Sequence, residues 1–187
     1  MSDLVDHLET YLGPIVSGYS KDDEGKKLPF QIARFENARP RTVTLVTLGF
    51  SDIHLALGRD GRRVRQEYLL TVNPKWDAPN LPALLHQVAM EAYEKNSAYL
   101  RGQVLGPRGT LVAGTALEAL YVAMPVYFPD AFHVYERVGA EPIVLVWLVP
   151  ITASEAHFAK ERGYDAFEDL LVERDPDLRD LGREAIA

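Results

Sequence analysis

The run from Ile143 to Val149, seven residues without a polar side chain, constrains this chain more than any other stretch. It is rich in β-branched residues, carries Trp147 and shows no polar alternation, so it reads as a strand buried on both faces. Pro150 is expected to end it, because proline has no N–H to donate to a ladder. Thr152 then caps a helix, and Glu155 completes a capping box, a device worth roughly 1 kcal/mol. Gly163 supplies a left-handed stop. A second box, Asp165 with Glu168, starts another short helix whose Phe167, Leu170 and Leu171 pack back onto the strand. From Pro142 to Glu173 the local signals agree with one another, and none of them is chemical.

The rest of the chain reads as a mixture of short elements. Leu4, Val5, Leu8, Tyr11 and Leu12 mark one face of an amphipathic helix stopped at Gly13-Pro14. Lys21 to Lys27 is a solvated charged loop turning at Gly25. Leu28 to Phe35 and Thr42 to Leu48 are strands by composition. Val64 to Val72 alternates cleanly, with Val64, Tyr68, Leu70 and Val72 on one face and Arg65, Glu67 and Thr71 on the other. It follows Asp60-Gly61, a hairpin signal. Arg59, Arg62, Arg63 and Arg65 read as protection of an edge strand. Asn80 caps the longest helix, Leu81 to Leu100, which Gly102 closes. Ala119 to Met124 reads as a strand. The proline and aromatic cluster from Pro125 to Phe132 is irregular, with Tyr127 and Phe128 assigned to the core. Strands and helices without a steady βαβ alternation argue an α+β fold, and 187 residues suit a single domain spanning 1–187.

Composition removes several function classes. With no cysteine there is no thiol nucleophile and no thiolate metal site. A net charge of −7 disfavours nonspecific nucleic-acid binding and suits a basic partner. The start, MSDLVDHLET, lacks the features of a signal peptide, and no apolar run approaches the ~20 residues that span a bilayer, so a cytoplasmic protein without membrane contact is expected. Gly109 to Thr115 has phosphate-loop glycine spacing but no following lysine. Ser51, in GFSD, lacks the second glycine of a nucleophile elbow. His7, His54, His86, His133 and His157 are scattered, so neither a metal nor a cofactor is expected. Asp52, His54 and Glu67 are the nearest approach to a dispersed hydrolase site, and no enzyme activity is expected. The acidic side chains of Glu168, Asp169, Glu173, Asp175 and Asp177 follow the period of a solvated helix face and its tail. They are the candidate surface for a protein partner.

Several stretches in order resemble one family. TLGFSD (Thr47 to Asp52), VRQEYLLTV (Val64 to Val72), LPALLHQVA (Leu81 to Ala89), YLRGQVLGPRG (Tyr99 to Gly109), LEALYVAMPVYFPDAF (Leu117 to Phe132) and VLVWLVPIT with the helices after it resemble the suppressor-of-fused domain family, its bacterial single-domain members in particular. The resemblance implies a central mixed sheet flanked by helices, and a binding protein rather than a catalyst. In animals a two-domain relative restrains a transcription factor by clamping a short peptide. In bacteria single-domain members look like immunity proteins that neutralise polymorphic toxins. The resemblance therefore implies a protein partner, such as a basic toxin domain, or a cellular protein sequestered by a regulatory adaptor. The animal peptide site uses a tyrosine and an aspartate at positions that hold Glu91 and Gln103 here, so that site is not carried over.

Overall fold

The computed structural model describes residues 3–21, 25–38, 41–58, 61–136 and 139–187. Nine strands among them form a mixed sheet. They are β1 (Ile15–Lys21), β2 (Lys27–Ala38), β3 (Arg41–Leu48), β4 (Leu55–Ala56), β5 (Arg63–Val72), β6 (Val104–Leu105), β7 (Leu117–Ala123), β8 (Val134–Tyr135) and β9 (Ile143–Thr152). Five helices accompany them: α1 (Asp3–Leu12), α2 (Leu81–Glu94), α3 (Asp130–His133), α4 (Ala153–Arg162) and α5 (Tyr164–Arg174). The strand order is β1-β2-β3-β5-β9-β7-β6, with β4 added to β5 and β8 to β9. The strand pairings are antiparallel except β5 with β9, where Tyr68 lies opposite Val146. A parallel pair requires a long crossover, and the chain from 73 to 142 supplies it. The fold is α+β, as the mixture of elements predicts.

β9 explains why its sequence has no polar face. Val146 and Leu148 point into a core beneath α2, with Leu81, Leu85, Val88 and Ala92. Leu145, Trp147, Val149 and Ile151 point into the opposite core, beneath α1, α4 and α5, with Leu8, Leu12, Ala156 and Phe167. Burying one such side chain contributes roughly 1.5–3 kcal/mol relative to leaving it exposed. The two faces of this central strand thus hold helices on both sides of the sheet.

The structure departs from the sequence expectations at several elements. β9 runs through Pro150 to Thr152. The Pro150 carbonyl accepts from Arg183 on the side away from β7, 3.4 Å distant. Its nitrogen points the same way, so no β7 bond is lost. β5 is central rather than an edge, and its polar side chains Arg65, Gln66, Glu67 and Thr71 are buried. Arg65 Nε donates to the Ser51 carbonyl at 2.6 Å, and Arg63 donates to Asn96 Oδ1 at 3.0 Å. The hairpin before β5 is present, with Leu55 opposite Val64. Arg59, Asp60 and the Asp22 to Glu24 part of the charged loop lie outside the described residues.

The longest helix stops at Glu94, well short of Leu100. Asn96 takes a φ of +45°. The amide of Gln66 then brackets the Tyr99 backbone, donating to its carbonyl at 2.8 Å and accepting from its N–H at 3.2 Å. Tyr99 is buried in the core, but outside the helix. Asn80 holds the N-cap position without a capping bond, because its amide donates to the Leu111 carbonyl at 2.7 Å. The Thr152–Glu155 box forms in full. The Asp165–Glu168 box does not: Gly163 precedes α5 with no side-chain cap. Gly163 has a φ of +87° and a ψ of 165°, a glycine conformation but not the left-handed helical one.

Candidate functional site

A cleft of about 230 Å³ opens between α5, the loop after β7 and the sheet. Its floor is made of cross-strand pairs, Tyr121 opposite Val149 and Ala123 opposite Trp147. Odd-numbered positions of both strands face α5, so the period of two decides which side chains reach the floor. The turn from Met124 to Phe128 carries Val126 and Tyr127 over one side. The Tyr127 ring lies 5.0 Å from the Trp147 indole. On the other side stand Leu171 and Val172 of α5, then Pro176 and Leu178 of the tail. Val126 is 65% exposed and Val172 82% exposed, both large apolar side chains at the mouth. The Trp147 indole N–H, itself buried, has no partner among the described residues.

Glycine sets the seating of α5 against the strands. Gly102 has a φ of +90°, and a Cβ there would lie 2.5 Å from the Cβ of Tyr164. Only glycine lets the turn at 101–103 come this close to the first residue of α5. Arg101 is thereby brought under Glu168, to which its Nε donates at 2.9 Å and its Nη2 donates as well. The Tyr121 hydroxyl donates to the same carboxylate at 2.9 Å. Burial pushes the Glu168 carboxyl up, but Arg101 and Tyr121 more than offset this and hold its pKa below the ordinary value. Below α5, Phe167 packs edge-to-face on Tyr121 at 4.9 Å. The tail is fixed by Tyr127, whose hydroxyl donates to the Pro176 carbonyl at 3.3 Å and accepts from Leu178 N at 3.1 Å.

The five carboxylates expected to meet a partner divide in two. Asp169, Glu173, Asp175 and Asp177 are exposed, and the first three reach no distant side chain among the described residues. Asp165, Asp169 and Glu173 follow one another every fourth residue, a row adjoining the cleft side of α5. Glu168 instead turns inward to Arg101 and Tyr121. Asp177 is held by Arg179 at 2.8 Å and by Asn73 at 3.2 Å. Arg179 also stacks over Tyr127, 4.9 Å from the ring centroid. Of the neighbouring guanidiniums, Arg101 pairs with Glu168, Arg179 with Asp177 and Arg174 with Glu173 at 3.8 Å, while Asp165, Asp169 and Asp175 carry no salt bridge among the described residues. Tyr127, read as core, is 41% exposed on the cleft, while Phe128 packs on Phe132 at 4.5 Å. The sequence carried no signal for Val126, Val172 or Met124, because exposed apolar residues break no periodicity that a reader can see.

The dispersed hydrolase trio does not converge on one another's side chains. Glu67 is fully buried and accepts from Thr47 Oγ1 at 2.6 Å and from the N–H groups of Gly49 and Ser51 at 3.0 Å each. His54 pairs with Glu141 at 3.1 Å, and Asp52 lies 3.5 Å from Arg65. Among the described residues no three histidine, aspartate or glutamate side chains gather closely enough to hold a metal ion. Glu91 forms a two-pronged ion pair with Arg108, and Gln103 caps its own turn by accepting from Leu100 N at 3.0 Å.

The family model described as Suppressor of fused protein (SUFU) matches residues 26–184. The chain belongs to the suppressor of fused family. Solved suppressor of fused structures share its fold. A SUFU homologue from Neisseria gonorrhoeae superposes with a TM-score of 0.73 at 17% identity, covering 98% of this chain and 94% of that one. A Sufu–Fu complex contains a chain that matches with a TM-score of 0.71 at 13% identity, over 98% and 91% of the two chains. Drosophila Suppressor of Fused matches with a TM-score of 0.69 at 13% identity, and here 98% of this chain spans 50% of the fly protein. A search of curated protein sequences finds no match. No helix among the described residues is long and apolar enough to cross a membrane.

Proposed function

We propose that this suppressor of fused domain is a non-catalytic binding protein that neutralises a protein partner by covering it. In the specific form of this reading it is an immunity protein of the bacterial cytoplasm, the whole chain acts as one domain, and the partner is a basic toxin. The observation that carries the reading is the pairing of an open apolar cleft with exposed carboxylates beside it. Val126 and Val172 at the cleft mouth supply the kind of desolvated centre on which interfaces depend. Asp169, Glu173 and Asp175 supply the polar rim that steers a basic protein. Glu168 and Asp177 act within this surface as supports for Arg101 and for the tail.

The test is co-expression. Candidate toxins captured with the tagged chain are produced in a naive host with and without it. A prey that arrests growth alone and is tolerated beside this chain supports immunity. A second reading, a regulatory adaptor that sequesters a cellular protein, is favoured by the fold shared with the chain of the Sufu–Fu complex. A prey without toxicity that binds through the same cleft selects the adaptor. Turnover of a substrate by the purified chain, lost on mutating Asp52, defeats both.

A further inference from the structure

The size and charge of the cleft specify what part of a partner enters it, an assignment that rests on the partner-binding reading above. At about 230 Å³ the cleft is smaller than the roughly 300–1,000 Å³ of small-molecule sites. It has the dimensions of a pocket for an interface anchor. Its surfaces are apolar, from Trp147 and Tyr127 to Val126 and Val172. Beside it the charge is unbalanced, because Arg101 and Arg179 are bound to carboxylates of their own, whereas Asp169 and Asp175 are exposed. Arg174 stands beside Glu173 at 3.8 Å.

We propose that the cleft takes one large apolar side chain from a basic segment of the partner. The lysine or arginine residues flanking this anchor pair with Asp169, Glu173 and Asp175. The anchor supplies the lifetime of the complex, because a desolvated centre controls dissociation. The flanking cations supply the encounter rate and its salt dependence.

The two tryptophans of the chain make the proposal readable by NMR. Trp147 lies in the cleft, while the Trp76 indole is bonded to Asp180 at 2.5 Å and serves as an internal reference. The ¹⁵N-labelled full chain is titrated with a synthetic peptide carrying one phenylalanine between two Lys-Arg pairs. Two control peptides replace the phenylalanine by serine or the basic residues by glutamate. The expected result is a moving Trp147 indole signal, a still Trp76 signal, and binding about tenfold weaker for the serine peptide. Val172→Arg, at a position 82% exposed, should weaken binding by a similar factor with the melting temperature unchanged.

Equal binding of the phenylalanine and serine peptides, or no binding of either, overturns the anchor. So does concentration-dependent dimerisation that Val172→Arg abolishes, since a second copy then fills the cleft. The parent reading fails by a different result. A captured partner that binds Asp169→Lys/Glu173→Lys and Val172→Arg as tightly as the native chain does not use this surface at all.

Discussion

Among the described residues Glu67 is a carboxylate without a cation, and its chemistry belongs to the single residue. Burial pushes its pKa up to about 7, against which the hydroxyl of Thr47 and the N–H groups of Ser51 and Gly49 act only in part. Its strand neighbour Arg65 is directed to Ser51 and Asp52 instead. A carboxyl with an unfolded pKa near 4.5 and a folded one of about 7 binds its proton more tightly in the folded state. It therefore favours folding fully below the unfolded value, and this contribution fades as pH rises through the folded one. The span corresponds to about 3 kcal/mol. Urea unfolding of the native chain should show this loss between about pH 4.5 and about pH 7, and Glu67→Gln should flatten it. An equal slope in the variant would assign the loss elsewhere. Gly102 is the other decisive residue. Gly102→Ala meets both a positive φ and the Tyr164 side chain, so it should destabilise by more than about 1 kcal/mol. A thermal melt checks it.

At the scale of elements, the end of the tail after α5 is tied to the start of α4 by a buried ion pair. Arg183 gives two bonds to Glu155, at 2.6 and 2.8 Å, and the carboxylate also accepts from Thr152 N at 2.8 Å and Ile186 N at 3.1 Å. The capping box that starts α4 and the anchor that ends the chain are thus the same side chain. Burial pushes Glu155 up, but Arg183 and the backbone donors win and keep its pKa below the ordinary value. This stability is present above the unfolded pKa and is lost as pH falls through the folded one, opposite in sign to Glu67. Breaking such a pair leaves an uncompensated buried charge, so Arg183→Ala should cost about 3–5 kcal/mol. Hydrogen exchange should then show faster exchange at Leu178 to Ile186. Unchanged protection there would mean that Leu178 and Leu181, both buried, hold the tail without the ion pair.

For the whole molecule, the net charge of −7 sets how association with the proposed basic partner depends on salt. Exposed charges are screened beyond roughly 8 Å at physiological ionic strength. Association with a basic partner should slow steeply as salt rises, while dissociation, set by the apolar centre, changes little. Stopped-flow rates across a salt series separate the two. Asp169→Lys/Glu173→Lys should slow association severalfold and leave the melting temperature within a few degrees, because surface substitutions of this kind alter stability by about 0.5 kcal/mol or less. Asp175, which caps α5 with a left-handed φ of +43°, is kept native. Glu168 is excluded from that variant, since its loss would also free Arg101.

Elements whose energetics are local could be read from the order of residues alone. The Ile143 to Val149 run had to be a central strand because no polar residue offered either face to water, and the Thr152–Glu155 box formed because both its bonds lie within one turn. The carboxylate row on α5 was legible for the same reason, since helical spacing alone aligns Asp169 with Glu173. Features that depend on a partner distant in the chain were set by packing. Gln66 drew Tyr99 off the helix, the Pro150 nitrogen was turned away from the β7 ladder, and Arg101 took Glu168 away from its expected cap. The cleft belongs to this second kind. Its floor comes from β7 and β9, its walls from a turn and a helix far apart in sequence, and no local period records that Val126 and Val172 end on either side of Trp147.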